Sequence, residues 1–431
     1  MSSPAQPPRP PARRHRTGPA AQTRAPGPPD DTRPALTILT GFAPHATREA
    51  ADLLLAADPD LLVIAHDLTE LLATGTVRRT VRDGRGLLED EHLTLEHGCI
   101  ACTVREDLLP ALVRLARTRP GGDLALVLPP AIEPETVAAA CSWCRIDGAP
   151  VTEALRIDSV VAVCDPTTLL TDLESDQDLA DRRLQAAEDD DRTVADVTAR
   201  QIEYADTVVL WNPEPTGVDG FERTRLDVLL RRLNPWARHL DADPAAFAAR
   251  IRRSARYDPD APETLGRGIE GYAIGCHEPE PDCGVVAAVY RARGPFHPDR
   301  FHRALSALAG RTLRGRGHLW LASQPDRIVA WESGGGGVSM GDMGPWLAAT
   351  PDEAWADSSP ERRVNADLHW DEEYGDRGIQ LAFVGLHFDA AEIAELLDGC
   401  LLTDAERAEG RAAWREYLDP FDGCFESKER N

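Results

Sequence analysis

Two cysteines in the stretch His97-Gly98-Cys99-Ile100-Ala101-Cys102-Thr103 carry the most chemical potential in this chain. Two thiolates two residues apart can chelate one Zn²⁺, which usually takes four ligands. His97, His92, Glu96 or a partner are the candidates for the remaining positions. The same spacing suits a redox pair, which needs a lowered thiolate pKa, or simply two buried thiols. Cys141 and Cys144 repeat the spacing, and their simplest reading is structural. The chain has nine cysteines. An odd number in a long chain points to reduced thiols or metal ligands rather than a disulfide framework.

A second place for chemistry is the corner Thr40-Gly41-Phe42-Ala43-Pro44-His45-Ala46-Thr47-Arg48. A strand, a glycine and then a helix are where a phosphate-binding loop belongs. Such a loop offers backbone N–H groups to the phosphates, a Lys to their charge and a Ser/Thr hydroxyl to Mg²⁺. Here Pro44 removes one N–H donor, and no lysine follows. The only lysine of the chain is Lys428, so 46 of the 47 basic residues are Arg. No mechanism that uses a lysine in a folded domain is available.

The elements that must hold these residues are short apolar runs alternating with helical periodicity. Residues 35–40, 60–65, 123–128, 157–164 and 206–211 read as buried strands. Residues 47–57, 105–118, 134–141 and 194–204 read as helices. Strand–helix alternation predicts a parallel sheet covered on both faces. Residues 254–282 lack periodicity and read as a linker. Beyond them, strands at 284–291, 313–323, 327–333 and 379–387 are interrupted by helices at 298–308 and 390–397, with a turn at 334–337, an α+β pattern. The expected organisation is a tail over 1–34, a first domain over 35–253, a linker over 254–282, a second domain over 283–420 and a tail over 421–431.

Charge narrows the function classes. The 431 residues include 47 basic and 72 acidic ones, a formal net charge of −25. An acidic body excludes sequence-blind coating of DNA, which needs a basic surface. A 42% hydrophobic content suffices for buried cores. No apolar run approaches the ~18 residues of a membrane span, and the start lacks an export signal, so a cytoplasmic protein is expected. Two local patches run against the overall charge. The Pro-rich tail over 1–34 carries six arginines against two aspartates and reads as a solvated segment or an arm for RNA or an acidic partner. Between Tyr290 and Trp320 seven arginines stand against Asp299 alone, with Phe296 and Phe301 nearby. Arg291, Arg293, Arg311, Arg314 and Arg316 are thus candidates for an RNA-facing surface, or for a solvated face over an aromatic core.

Leu39-Thr40-Gly41-Phe42 resembles the opening of T-G-F-L-G-A-G-K-T-T in the CobW family of GTPases and metal chaperones. Aligned without gaps, the later glycines fall on Pro44 and Ala46, the Lys on Thr47 and the Mg²⁺-binding Thr on Arg48. Glu133-Pro134 match the family's x-E-P. The guanine-reading N-K-x-D falls on Trp211-Asn212-Pro213-Glu214, where only Glu214 imitates the Asp. The cysteine stretch resembles G-C-x-C-C-T-x-R, with Ala101 in place of the middle Cys. Residues 285–420 resemble the CobW C-terminal domain through 290–298, Gly317-His318-Leu319-Trp320, Gly375-Asp376-Arg377 and Leu401-Leu402-Thr403-Asp404.

The resemblance implies an α/β fold: a degenerate P-loop G domain with a mainly parallel sheet, followed by a smaller α+β C-terminal domain. It implies zinc at Cys99 and Cys102 and no catalytic residue. Thr40, Gly41, Thr47, Arg48 and Glu214 remain as remnants of a nucleotide site, so GTP and Mg²⁺ are not expected. Within the family, the combination resembles a branch that recruits a hibernation factor to the small ribosomal subunit in a zinc-dependent way. The alternative is a GTP-binding zinc metallochaperone. Neither DNA nor a membrane is an expected partner.

Overall fold

The computed structural model describes residues 31–424 except 120, 186, 188, 189, 212–216 and 242. The expected tails therefore lie almost wholly outside the described residues, and so does Glu214.

The first sheet is built from β1 (Ala35–Thr40), β2 (Leu62–Asp67), β3 (Thr76–Asp83), β4 (Gly86–Thr94) and β5 (Leu124–Val127). After a short hairpin of β6 (Arg145–Ile146) and β7 (Ala149–Pro150) come β8 (Arg156–Cys164), β9 (Thr207–Leu210) and β10 (Arg238–Asp241). The strand order is β10-β9-β8-β1-β5-β2-β3-β4. Every pairing from β10 to β2 is parallel, and β3 and β4 add an antiparallel edge. All six residues of β1 are buried, as expected of a strand covered on both faces. Leu36 and Ile38 join the core on one face, while Leu39 joins Val161, Val163 and the Pro44–Ala57 helix on the other. The order of strands diverges on either side of β1, so the turn after β1 sits where α/β sheets bind ligands.

The second sheet has the order β11-β12-β16-β13-β14-β15, all antiparallel. Its strands are β11 (Glu278–Asp282), β12 (Val285–Ala292), β13 (Arg314–Leu319), β14 (Arg327–Gly334), β15 (Gly337–Pro345) and β16 (Ile379–Leu386). One face carries an aromatic core with Phe296, Phe301, Trp320, Trp331, Phe383 and Trp414, covered by the helices Pro298–Ala309 and Ala390–Asp398. The other face lies on the first half: Val285, Ala287 and Val384 belong to the same core as the Gly220–Leu233 helix. One expectation changes and another is extended: the end of the supposed linker is strand β11, and the expected turn at 334–337 is present but leads into a further strand, β15.

This packing relocates part of the arginine cluster. Arg314 and Arg316 are 1% and 6% exposed. Arg314 forks onto Glu203 at 2.9 and 2.9 Å and reaches Asp196 at 3.3 Å and Glu332. Arg316 Nη1 lies 2.7 Å from Glu203 Oε1, and its other nitrogens donate to the Ile274 and Leu233 carbonyls. Their side chains tie β13 to the Val194–Tyr204 and Gly220–Leu233 helices and are not surface groups, so they are withdrawn from the RNA-facing set. Arg291, Arg293 and Arg311 are exposed. The alternation Arg314-Gly315-Arg316-Gly317 has a steric reason: Gly317 has φ +146°, and a Cβ there would meet the Gln380 carbonyl at 2.1 Å.

Candidate metal and phosphate corners

The thiol pair sits where the chain leaves β4. Gly98 passes so close to the Leu71 carbonyl that a Cβ would lie 2.8 Å from it. Cys99 then caps the turn Ile100–Cys102: its Sγ accepts the Cys102 N–H at 3.2 Å, and Thr103 Oγ1 donates to its carbonyl at 3.1 Å. Over Thr103–Leu108 the helix widens to a π turn before Leu109–Thr118 continues it. Pro110 explains the widening, because it has no N–H for the i−4 carbonyl and its ring crowds that turn. Beneath this segment Asp107 anchors the helix to the sheet. It accepts from His66 Nε2 at 2.8 Å and from Arg79 Nη1, all three being buried.

Cys102 is buried and Cys99 half-buried. Burial, with Cys99 and the Glu106 carboxylate beside it, pushes the Cys102 thiol up to about 11. This opposes what a redox pair needs. The Glu106 carboxyl accepts the Glu96 N–H at 3.2 Å, and that bond holds it below the usual range. Among the described residues no three His, Cys, Asp or Glu side chains converge as a metal cage. The donor set still fits zinc in its chemistry: two soft sulfurs on one turn, with a carboxylate alongside. Cys141 is wholly buried, its thiol pushed by burial to about 12, and it ends a different helix, Pro134–Trp143, with Cys144 as its cap. The two cysteine pairs form separate places.

At the other corner the helix begins early. Pro44 occupies the first helical position, where its fixed φ is favourable and its missing N–H costs nothing. The stretch that would wrap a phosphate is thereby a helical turn, with Ala46 and Thr47 N–H groups bonded to the Ala43 carbonyl. Gly41 is set against β8, since a Cβ would lie 2.3 Å from the Val163 carbonyl. Thr47 is buried and its hydroxyl donates to the Pro44 carbonyl at 3.1 Å. Arg48 is exposed. The Thr40 hydroxyl is buried without a hydrogen-bond partner among the described residues. His45 pairs with Asp165 at 2.8 Å, which places an acid beside the loop. At the position matching the start of N-K-x-D, Trp211 is buried, donates to Glu49 at 3.0 Å and stacks edge-on against Phe247.

Comparison with known proteins fits this geometry. Residues 56–238 match the model of the CobW/HypB/UreG nucleotide-binding domain, and residues 285–401 match the cobalamin synthesis protein cobW C-terminal domain. Zinc chaperone Rv0106 of Mycobacterium tuberculosis is 34% identical over 404 residues, 85% of this chain and 95% of that protein. The chain belongs to the CobW family. Zinc-regulated GTPase metalloprotein activator 1 of Dictyostelium discoideum is 28% identical over 409 residues, covering 89% of this CobW protein and 83% of its own length. The Zn(II)-bound YjiA GTPase from E. coli aligns at 14% identity over 86% of this chain and 99% of that one, with a TM-score of 0.34. Within this CobW protein, the match to the nucleotide-binding domain begins downstream of the 40–48 corner.

Neither the π turn nor the His66–Asp107–Arg79 anchor was foreseen. Pro110 eight residues after Cys102 was the available signal for the first. The second joins residues 41 and 28 positions apart, with no local signature.

Proposed function

We propose that this CobW-family protein binds Zn²⁺ through Cys99 and Cys102 and uses metal occupancy to set a protein-binding face. In that role it recruits a hibernation factor to the small ribosomal subunit without hydrolysing GTP. The observation that carries the zinc reading is the pair of thiols on one turn, Cys99 with its Sγ on the Cys102 N–H and Cys102 beside Glu106. A partner or solvent completes the four-coordinate shell. Metal must displace the thiol protons, and the turn that follows leads to exposed Arg105, so occupancy acts on the surface next to it. Exposed Arg291, Arg293 and Arg311 offer contacts to rRNA phosphates. A non-hydrolysing role is supported by Thr47 and Arg48 in the loop and by Trp211 at the base-reading position.

The test is co-sedimentation of the full chain with ribosomes and a hibernation factor, with zinc buffered high and low. Zinc-dependent pelleting, lost in Cys99→Ser/Cys102→Ser, is expected. Pelleting that ignores both zinc and the substitutions would sink the mechanism.

The names of the relatives favour a second reading, delivery of zinc to an enzyme with GTP bound. That reading requires heat on titration with Mg·GTP and zinc transfer to an apo-enzyme without ribosome association. A flat titration removes it.

A further inference from the structure

We propose that the free edge of the second sheet joins two copies of this chain, β15 against antiparallel β15, about a two-fold axis at Met340. Among the described residues the two large sheets end in four edge strands, β10 and β4 in the first and β11 and β15 in the second. An edge presents unpaired N–H and C=O groups and invites another strand, so folded proteins blunt their edges with shortness, charge or proline. Three of these four are blunted. β10 has four residues. β4 carries Glu89, Asp90 and Glu91 at its middle, so a second β4 laid antiparallel on it sets acid against acid. β11 reads Glu278-Pro279-Glu280-Pro281-Asp282, two prolines and three acids in five residues. β15 is nine residues long, has Asp342 as its one charge and holds a proline only at its last position.

The turn before β15 fixes which of its groups face outward. Gly335 and Gly336, with φ of +56° and +80°, form the two-residue loop between β14 and β15. Gly334 and Gly337 are then the hydrogen-bonded pair that closes the hairpin. Antiparallel pairs alternate between bonded and unbonded, so the N–H and C=O groups of Val338, Met340 and Asp342 point away from β14. β15 pairs with β14 alone, and these three residues bond to no other described backbone group. Directly opposite residues share a face. Met340 stands opposite Trp331 and Val338 opposite Ser333, so the outward-bonding residues lie on the aromatic side of the sheet. Met340 packs on that core yet is only half-buried, and Val338 is 38% exposed.

A second copy is the partner whose charges fit this edge. Outward groups must meet outward groups, which sets Met340 against its own counterpart and Val338 against Asp342 on either side of it. Such a pairing is isologous and closes with two-fold symmetry. Asp342 meets an apolar residue instead of its own copy, and it is already paired with Arg327 at 3.0 Å. The seam therefore holds no like-charge contact, unlike a β4 pair. The two thioethers at the axis are flexible enough to fill the space between the two aromatic cores. On the opposite face β15 carries Gly337, Ser339 and Gly341, which put no bulk in the way of an approaching strand. Pairing turns two six-stranded sheets into one continuous sheet.

The test is sedimentation velocity of the full chain from about 1 to 300 μM, reduced and in EDTA so that neither disulfides nor zinc bridges hold copies together. A reversible dimer is expected within that span, because one strand pair is a small interface. Met340→Lys sets two ammonium groups face to face at the axis and should weaken association about 10- to 100-fold. Met340→Pro removes an outward N–H and no bond to β14, and it should weaken association as well. Circular dichroism checks that both variants fold, and Met340→Leu should associate as the native chain does. In oxidised Met340→Cys, mass spectrometry should find a peptide cross-linked from 340 to 340. A monomer at every concentration overturns the proposal, and so does a dimer that the folded Lys and Pro variants leave unchanged. A Met340→Cys dimer without that cross-link overturns the register. Cys99→Ser/Cys102→Ser should dimerise like the native chain, so this proposal and the zinc reading fail separately.

Discussion

Replacing Arg314 by Met tests the join between the two sheets. Arg314 is 1% exposed and faces three buried carboxylates, Glu203, Glu332 and Asp196. Burial works to raise the Glu332 carboxyl, but Arg314 and Arg200 overcome it and hold it down at about 2, against a usual 4.5. That difference corresponds to about 3 kcal/mol, at about 1.4 kcal/mol for each tenfold change in an equilibrium constant. Glu203 is lowered in the same sense, Arg314 and Arg316 outweighing its burial. A carboxyl depressed in the folded state contributes stability that is fully present above its unfolded pKa, and the contribution is lost as pH falls through the folded one. The native protein should therefore lose this contribution between about pH 4.5 and 2. Arg314→Met keeps the volume of the stem but strands buried carboxylates, which costs about 3–5 kcal/mol at neutral pH. Below about pH 4 its carboxyls protonate, and the deficit should narrow. Urea unfolding of both proteins at pH 7 and pH 4 measures this. A deficit under about 1 kcal/mol at pH 7, or one independent of pH, would refute the reasoning.

Other expectations follow from single contacts. Asp107→Ala leaves buried His66 without its carboxylate and Arg79 with only Glu89 and Glu91, and should cost about 1–3 kcal/mol in urea unfolding. Gly41→Ala drives a methyl toward the Val163 carbonyl and should cost about 1–3 kcal/mol, read as a fall in Tm of several degrees. Phe301→Ala empties a fully buried position stacked on Phe296 and should cost about 3–5 kcal/mol. Zinc should raise the Tm of the native protein and leave Cys99→Ser/Cys102→Ser unmoved, because a ligand stabilises only the state that binds it.

Local features were the legible ones. β1 and the Val194–Tyr204 helix fall on the predicted residues, since each buries several apolar residues within a short span. The β3–β4 pair escaped the pattern because its buried positions are Val77, Arg79, Val81 and Asp83, half of them charged. β15 escaped the pattern because it holds three glycines and its edge position leaves it little to bury. The thiol pair was visible because only two residues separate its members. The burial of Arg314 was not, because its partner Glu203 lies 111 positions away. A basic residue between glycines looks solvated until the opposing surface is known.

The ionic join has a consequence for dissecting the molecule. Glu203 belongs to a helix of the first half and Arg314 to a strand of the second, and both are buried where the halves meet. Severing the chain between residues 254 and 277 would part Glu203 and Asp196 from Arg314 and Arg316, leave Arg314 only Glu332, and bare the apolar surface around them. Neither fragment should stay soluble alone. Produced together they carry complementary halves of one lock, which makes this interface a natural seam for a split reporter whose reassembly signals that both halves are present.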